Sequence, residues 1–203
     1  MQSKIAKIIS YLFHPLLMPT YAFLALFNIK AYFSLIIPME GKIRILLLIF
    51  IVTFIFPVMV ILFFRSTNVI RSLYQLSRQE RKFPYITTIA FYLMAYYLLK
   101  NVQISPIFHY FTFGAAVLSM TVFAINFFWK ISAHMIAIGG ITGMLLGLAF
   151  TGIVGNPYLV VIAVFIAGIV GFARLQLNAN THAQVYSGFV LGVLGMIYLS
   201  LYF

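Results

Sequence analysis

The sequence predicts an all-α polytopic membrane protein, a helical bundle of six to seven transmembrane helices, and three observations carry that prediction. Hydrophobic residues make up 64% of the 203 residues, charged residues make up only 7%, and the mean hydropathy is +1.10. A soluble globular domain is about 45–50% apolar and about 25% charged, so this chain needs lipid as its solvent. Long apolar segments follow one another with mostly short connections, which leaves no length for a soluble domain. We therefore expect one membrane domain over residues 1–203.

Seven segments are long and apolar enough to cross, or nearly cross, a bilayer, which takes about 20 helical residues. They are residues 8–29, 43–64, 85–99, 107–128, 132–151, 157–173 and 183–203. The third is short for a full span, so six to seven crossings are expected. Pro15 and Pro19 interrupt the first segment, which predicts a break there and an N-terminal part that lies along the membrane interface.

Glycines cluster in the last three segments. Gly143 and Gly147 lie four residues apart in the fifth segment, and Gly188 and Gly192 have the same spacing in the seventh. This spacing puts two glycines on one helix face and lets helix backbones approach closely. We expect the last three segments to form the tightly packed core of the bundle.

The charged residues are few and almost all basic. There are no cysteines, the only acidic residues are Glu40 and Glu80, and the net charge is +11. Disulfides, iron–sulfur clusters, thiolate zinc sites and most paired-carboxylate chemistry are therefore excluded, and we expect neither a metal nor a cofactor. Because the basic residues flank apolar segments, their expected partners are anionic lipid headgroups or an anionic substrate, and not nucleic acid.

Three connections carry most of the polar residues, and all three are predicted to emerge on the same side of the membrane. They are residues 65–84, 128–132 and 174–182, which follow the second, fourth and sixth segments. Their chemistry-bearing residues, with those just inside the next segment, are Arg78, Glu80, Arg81, Lys130, Ser132, His134, Arg174, Asn180, His182 and Gln184. So many donors with almost no acids favour a site for an anion.

These three patches resemble the three signature motifs of the type 2 phosphatidic acid phosphatase superfamily, a family of helical-bundle phosphatases and haloperoxidases. Residues 78–84 read Arg-Gln-Glu-Arg-Lys-Phe-Pro, similar to the Arg-x-Glu-Arg-x-x-Pro variant of divergent bacterial members. Residues 130–134 read Lys-Ile-Ser-Ala-His, similar to the second motif, Pro-Ser-Gly-His. Residues 173–188 are similar to the third motif, Ser-Arg-x5-His-x3-Asp, and to the helix start that follows it. The resemblance implies a phosphatase-like core over residues 70–203 and a location in the bacterial inner (cytoplasmic) membrane.

The resemblance also implies a role for each matching residue. His134 matches the histidine that protonates the leaving oxygen, so it is expected to be catalytic. The residues that match phosphate-binding positions are Arg78, Arg81, Ser132 and Arg174. Such a site transfers a phosphoryl group by positioned positive charge and needs no metal. Ser132 has a second interpretation as the N-cap of the fifth helix, and Glu80 is expected to orient one of the arginines.

The chain departs from the family pattern where the attacking histidine should stand. Asn180 occupies that position, and Gln184 occupies the position of the aspartate that orients the nucleophile. An amide nitrogen is not a nucleophile, because its lone pair is delocalised. His182 is the expected substitute nucleophile if residues 180–182 are extended, but it faces away if Thr181 is the N-cap of a helix.

The sequence therefore predicts a membrane-embedded protein that hydrolyses a lipid phosphate or diphosphate without a metal. Asn180 and Gln184 leave open an alternative, a catalytically inactive member of the same fold that serves as a lipid-binding or scaffold subunit of a membrane complex. A small transporter is a third interpretation, weakened by the lack of internal repeats and buried acids. The expected partner is a phosphorylated membrane lipid, with a membrane protein complex as the partner in the scaffold case.

Overall fold

The structure, a computed structural model, describes residues 2–69, 80–153 and 158–201. Within these ranges the chain is helical and contains no strand, which confirms the predicted all-α class. In chain order the helices are α1 (Gln2–Leu12), α2 (Met18–Asn28), α3 (Tyr32–Leu35), α4 (Met39–Phe50), α5 (Phe56–Ser66), α6 (Lys82–Lys100), α7 (Pro106–Ile125), α8 (Ala133–Phe150), α9 (Tyr158–Gln176) and α10 (His182–Ser200).

Six helical stretches in the described residues are long and apolar enough to cross a membrane, as the composition predicts. They are Ser3–Asn28, Met39–Ser66, Pro106–Ile125, Ala133–Phe150, Tyr158–Gln176 and His182–Ser200. These stretches coincide with six of the seven predicted segments. The remaining segment, 85–99, lies within α6, whose tyrosines and threonines make it less apolar than the others. α6 packs against α7 along the bundle.

The predicted break in the first segment is confirmed. α1 ends at Leu12, His14 adopts an extended backbone with φ −66° and ψ 139°, and a 3₁₀ turn, Pro15–Leu17, leads into α2. Proline has no N–H and a fixed φ, so Pro15 begins the turn and cannot continue α1. The Nδ1 atom of His14 accepts the backbone N–H of Leu16 at 3.3 Å and caps the turn. α1 packs against α9.

α4 and α5 form one continuous span with a π-helical turn, Ile51–Ile55, at its centre. Pro57 has no N–H to offer the carbonyl of Thr53, one turn earlier, which disrupts the regular ladder at this point. The Thr53 hydroxyl donates to Ile49 O at 2.8 Å. Phe54, inside the π-helical turn, lines a large cavity in the bundle.

α8 and α10 pack at backbone contact, as the glycine spacing predicts. A Cβ added at Gly143 would overlap the Val193 carbonyl, and one added at Gly192 would overlap the Ile136 carbonyl. α9 packs against α8 and α1, but a Cβ added at its Gly168 would meet no atom within 4 Å. The tight packing expected of the last three segments is therefore found between α8 and α10, while Gly168 of α9 takes no part in it.

Candidate functional site

A cavity of about 1230 Å³ lies among α1, α2, α5, α6, α7, α8 and the end of α9. The lining side chains that can carry a positive charge are Lys7, His14, Arg81, Lys130, His134 and Arg174. No acidic side chain of the described residues lines it, and much of the remaining wall is apolar. On α8 the lining runs from His134 to Met144, which corresponds to about 15 Å of helix. The cavity is therefore cationic at one end and apolar further along.

The cavity brings the three predicted patches together. Arg81 comes from the start of α6, Lys130 and His134 come from the start of α8, and Arg174 comes from the last turn of α9. Helix ends that are far apart in sequence therefore meet on one side of the molecule, as the order of the spans predicts. Arg78, the other phosphate ligand expected from the first patch, lies outside the described residues.

Lys130 links two of the patches. Its Nζ atom donates to Ala179 O at 2.7 Å, which ties the α7–α8 connection to the α9–α10 loop. Partial burial lowers the pKa of the Lys130 ammonium group from its ordinary value, and the nearby charges of Arg81 and Arg174 lower it further. The clustered cations repel one another, so an anion bound among them would relieve that repulsion.

Asn180 stands at the centre of a chain of polar side chains. Arg174 Nε donates to Asn180 Oδ1 at 3.2 Å, and Asn180 Nδ2 donates to Gln184 Oε1 at 3.1 Å. Gln184 Oε1 also accepts the backbone N–H of Thr181 at 3.2 Å. Asn180 itself is buried. The position at which the resemblance predicts an attacking histidine is therefore held by an amide whose oxygen and nitrogen are both hydrogen-bonded.

The structure places His182 outside the cavity. Thr181 is the N-cap of α10, and its Oγ1 atom accepts the N–H of Gln184 at 3.4 Å within a capping box. The helix therefore starts at His182, whose exposed ring stacks on Tyr186 with 6.3 Å between ring centroids. Of the two arrangements that the sequence allows, this is the one in which His182 faces away from the site. The geometry does not support His182 as the substitute nucleophile.

Ser132 and Glu80 are not among the described residues that line the cavity. Ser132 occupies the N-cap position of α8 but makes no side-chain cap bond, and its buried hydroxyl has no hydrogen-bond partner among the described residues. Its backbone N–H donates to Gln184 O at 3.3 Å. The cap interpretation is not supported, and the phosphate-ligand role stays a prediction. Glu80 lies half-buried in the turn before α6, beside Arg81, and its orienting role also stays a prediction.

No family model, curated protein or solved structure matches this chain. The resemblance to the type 2 phosphatidic acid phosphatases therefore stays a prediction, and so do the residue roles that it implies. The clustering of Arg81, Lys130, His134 and Arg174 is independent of that resemblance, because it follows from how the helices pack.

Sequence reasoning missed three residues that α1 and the following turn bring to the site. Lys7, Ser10 and His14 line the cavity. His134 Nε2 donates to the Ser10 carbonyl at 3.1 Å, and the rings of His14 and His134 lie 5.6 Å apart between centroids at an angle of 79°. The signal for two of them is the spacing of Lys7 and Ser10, which places them on one face of α1, whereas His14 follows the end of that helix and carries no such signal. A helix lying on the membrane surface would show the same spacing, so only the packing identifies them.

The arrangement can hold an anion at one end and hydrocarbon along the rest. Guanidinium, ammonium and imidazole N–H groups are the donors that bind phosphate oxygens most strongly. Within the part of the chain that the structure describes, no three histidine, cysteine or acidic side chains cluster as metal ligands. Two imidazoles, His14 and His134, also line the cavity, and each neutral ring offers one N–H donor and one nitrogen acceptor.

Proposed function

We propose that this protein binds a phosphorylated or diphosphorylated membrane lipid, with the headgroup at the cationic end of the cavity and the hydrocarbon chain along its apolar wall. The observation that carries the proposal is that one cavity has both characters, with Arg81, Lys130 and Arg174 at one end and Phe111 and Met144 further along. A neutral lipid would leave the clustered cations uncompensated, and a small hydrophilic anion would leave the apolar wall unfilled.

The site supports binding better than phosphoryl transfer through a phosphohistidine. Asn180, bonded to Arg174 and Gln184, has no nucleophilic lone pair with which to attack phosphorus. His182, the expected substitute, is exposed at the start of α10 and does not line the cavity. The leading function is therefore the binding of a lipid phosphate, alone or as a subunit of a complex in a bacterial inner membrane.

Lipid binding by the full chain tests this proposal. Native mass spectrometry from nonionic micelles would compare lysophosphatidic acid with a monoacylglycerol of the same acyl chain, two ligands that differ by the phosphate. We expect one bound lysophosphatidic acid per chain and a preference of about tenfold or more, because a hydrogen bond to a charged group contributes about 1.5–3 kcal/mol. Arg174→Gln should lose most of that preference.

Lys100→Gln is the matched control. Lys100 is a cation in the last turn of α6, at the opposite end of that helix from Arg81, and it does not line the cavity. Both variants remove one positive charge, so unspecific attraction of an anionic lipid falls equally in each. An equal loss of binding in Arg174→Gln and Lys100→Gln would contradict a built site.

Hydrolysis of the bound lipid phosphate is a second candidate function. The observation in its favour is that His134, at the position of the family's general acid, lies on the cavity wall beside a second imidazole, His14. In this scheme a water attacks phosphorus in place of a histidine, and its oxygen forms the new P–O bond as the ester P–O bond breaks. One imidazole accepts the proton of the water and the other protonates the leaving alkoxide.

Release of inorganic phosphate from lysophosphatidic acid decides between the two functions. Hydrolysis predicts release by the wild-type protein and a loss of about 100-fold or more in His134→Ala, because a general acid or base contributes that much. It also predicts that His182→Ala keeps wild-type activity, since that ring lies outside the cavity. Binding alone predicts no release above the His134→Ala background in any variant.

A further inference from the structure

The N-terminal helix contributes a row of polar side chains to the cavity. Lys7 and Ser10, three residues apart, share a face of α1, and His14 in the extended residue after it lines the cavity as well. α1 packs against α9, the helix that carries Arg174, so the row meets the cationic end of the site. The family resemblance covers 70–203 and assigns no role to any of these residues.

Hydrogen bonds fix where the protons of the two site histidines lie. His14 Nδ1 accepts the N–H of Leu16 at 3.3 Å, so the neutral ring carries its proton on Nε2. His134 Nε2 must donate to the Ser10 carbonyl, 3.1 Å away, because a carbonyl can only accept. The N–H of neutral His134 is therefore used within the protein, whereas the N–H of His14 is available to a ligand.

Ser10 connects α1 to the site through two groups. Its carbonyl accepts the bond from His134, and its hydroxyl has no hydrogen-bond partner among the described residues. The residue is only 8% exposed, and it lines the cavity. A buried hydroxyl without a partner is costly unless a bound group satisfies it, so its place on the wall points to a polar ligand.

We propose that α1 and the turn after it form a fourth element of the headgroup site, beside the three patches. His14 Nε2–H and the Ser10 hydroxyl donate to phosphate oxygens, and exposed Lys7 adds positive charge at the rim. His134 is a positioning residue that holds α1 against α8 through the Ser10 carbonyl. This inference rests on the proposed function, because it takes the ligand to be a phosphate monoester of a lipid or free inorganic phosphate.

His14→Asn tests the contact while keeping the local fold. An asparagine oxygen can accept the N–H two residues further on, as His14 Nδ1 does, so the turn before α2 keeps its cap. The shorter side chain cannot place an N–H where His14 Nε2 lies. His14→Phe keeps a ring and removes both bonds. His109→Asn is the matched control, because His109 Nε2 donates to the Leu99 carbonyl at 2.9 Å and the residue does not line this cavity.

For the wild type and each variant we would measure the affinity for lysophosphatidic acid, the affinity for inorganic phosphate and the melting temperature in detergent. Both His14 variants should bind lysophosphatidic acid about tenfold more weakly, since each loses a donor to a charged oxygen. His14→Asn should keep the wild-type melting temperature. His109→Asn should keep the affinity, although the loss of its bond to the Leu99 carbonyl lowers its melting temperature. Inorganic phosphate binding much more weakly than lysophosphatidic acid identifies a lipid headgroup, and equal affinities identify free phosphate. In either case the loss in His14→Asn supports the inference.

Nitrogen-15 spectra of labelled histidines distinguish a contact from a purely structural role. Added lysophosphatidic acid should shift the Nε2–H resonance of His14 most. The Nε2–H resonance of His134 should move less, because its bond to the Ser10 carbonyl persists in the complex. A larger shift at His134 than at His14 would reverse the two assigned roles and overturn the inference.

Two further outcomes separate the inference from the proposed function. If His14→Asn binds lysophosphatidic acid as the wild type does while Arg174→Gln loses it, α1 is no part of the site and the proposed function stands. If the wild-type protein binds lysophosphatidic acid no better than monoacylglycerol, the proposed function fails, and the inference fails with it.

Discussion

The two sides of α8 pack in opposite ways. One side meets α10 at backbone contact, through Gly143 against Val193 and through Gly192 against Ile136. The other side bounds the cavity with a row of side chains spaced three and four apart: His134, Ala137, Ile141 and Met144. The closely packed side fixes α8 in place, and the other side leaves space for a ligand. A change in side-chain volume on the side that faces α10 should therefore alter stability. A change in charge on the side that faces the cavity should alter ligand binding.

The same close contact also positions the start of α10. Ser132 N–H donates to Gln184 O at 3.3 Å, so the beginning of α8 is bonded to the beginning of α10. Gln184 in turn accepts from Asn180, which accepts from Arg174. The closely packed α8 and α10 therefore position the hydrogen-bonded side chains of Arg174, Asn180 and Gln184 beside the cavity. A substitution that shifts these two helices should also displace those side chains.

Gly192→Ala should have the largest effect, and it acts on the packed side. Its Cβ would overlap the Ile136 carbonyl and lie 2.8 Å from Gly140 N, and these are backbone atoms that cannot move aside alone. Overpacking of this kind costs about 1–3 kcal/mol. We expect a clearly lower melting temperature in detergent, measured from the loss of the helical circular dichroism signal on heating.

Gly168→Ala is the control for that substitution. It adds the same methyl group to α9, where no atom lies within 4 Å of the new Cβ. Alanine favours a helix over glycine by about 1 kcal/mol, so the melting temperature should hold or rise. Similar destabilisation by both substitutions would show that the contact between α8 and α10 is not close.

Asn180→Asp should have the next largest effect, and it acts on the cavity side. A carboxylate has no N–H to donate to Gln184 Oε1, so that bond is lost, but the new ion pair with Arg174 offsets the loss and we expect little change in melting temperature. The added negative charge neutralises a cation of the site and repels phosphate. Lysophosphatidic acid binding, measured by native mass spectrometry, should fall about tenfold, the effect of losing one charged donor.

Asn101→Asp separates a local effect from a change in total charge. Asn101 is exposed at the C-terminal end of α6, where its Nδ2 donates to Tyr97 O, and it does not line the cavity. The variant carries the same extra negative charge as Asn180→Asp, but at the end of α6 opposite to Arg81. Its lipid binding should match the wild type, and an equal fall in both variants would assign the effect to net charge alone.

The elements on both sides of α8 could largely be predicted from the sequence. Lipid imposes long apolar runs, so six of the predicted segments recur as candidate spans, and the seventh recurs as α6. The order of the spans predicts which helix ends share a side, and Arg81, Lys130 and Arg174 do meet there. Thr181 is also confirmed as an N-cap, because capping depends on local chemistry.

The contribution of α1 could not be predicted in the same way. The bond between His134 and Ser10 joins residues 124 positions apart, and no local pattern encodes which helix packs against which. His14 precedes a proline, so its position indicates only a helix end. Ser132 shows that a suitable local pattern can also fail to form the expected interaction. A good cap residue stands at the right position, but its hydroxyl makes no cap bond, and its backbone N–H bonds to Gln184 O of α10.

Ser10→Ala should have the smallest effect. It tests whether α1 contributes to the ligand site or only to the packed scaffold. The Ser10 hydroxyl has no partner among the described residues, so its removal should leave the melting temperature unchanged. Lysophosphatidic acid affinity should fall about threefold, near the low end of what one hydrogen bond contributes. Ser200→Ala is the counterpart on the packed side, where the hydroxyl donates to Ile197 O at 2.7 Å, so it should lower stability and spare binding. If Ser10→Ala instead lowers the melting temperature and leaves the affinity unchanged, Ser10 is part of the packed scaffold and its hydroxyl does not contact the ligand.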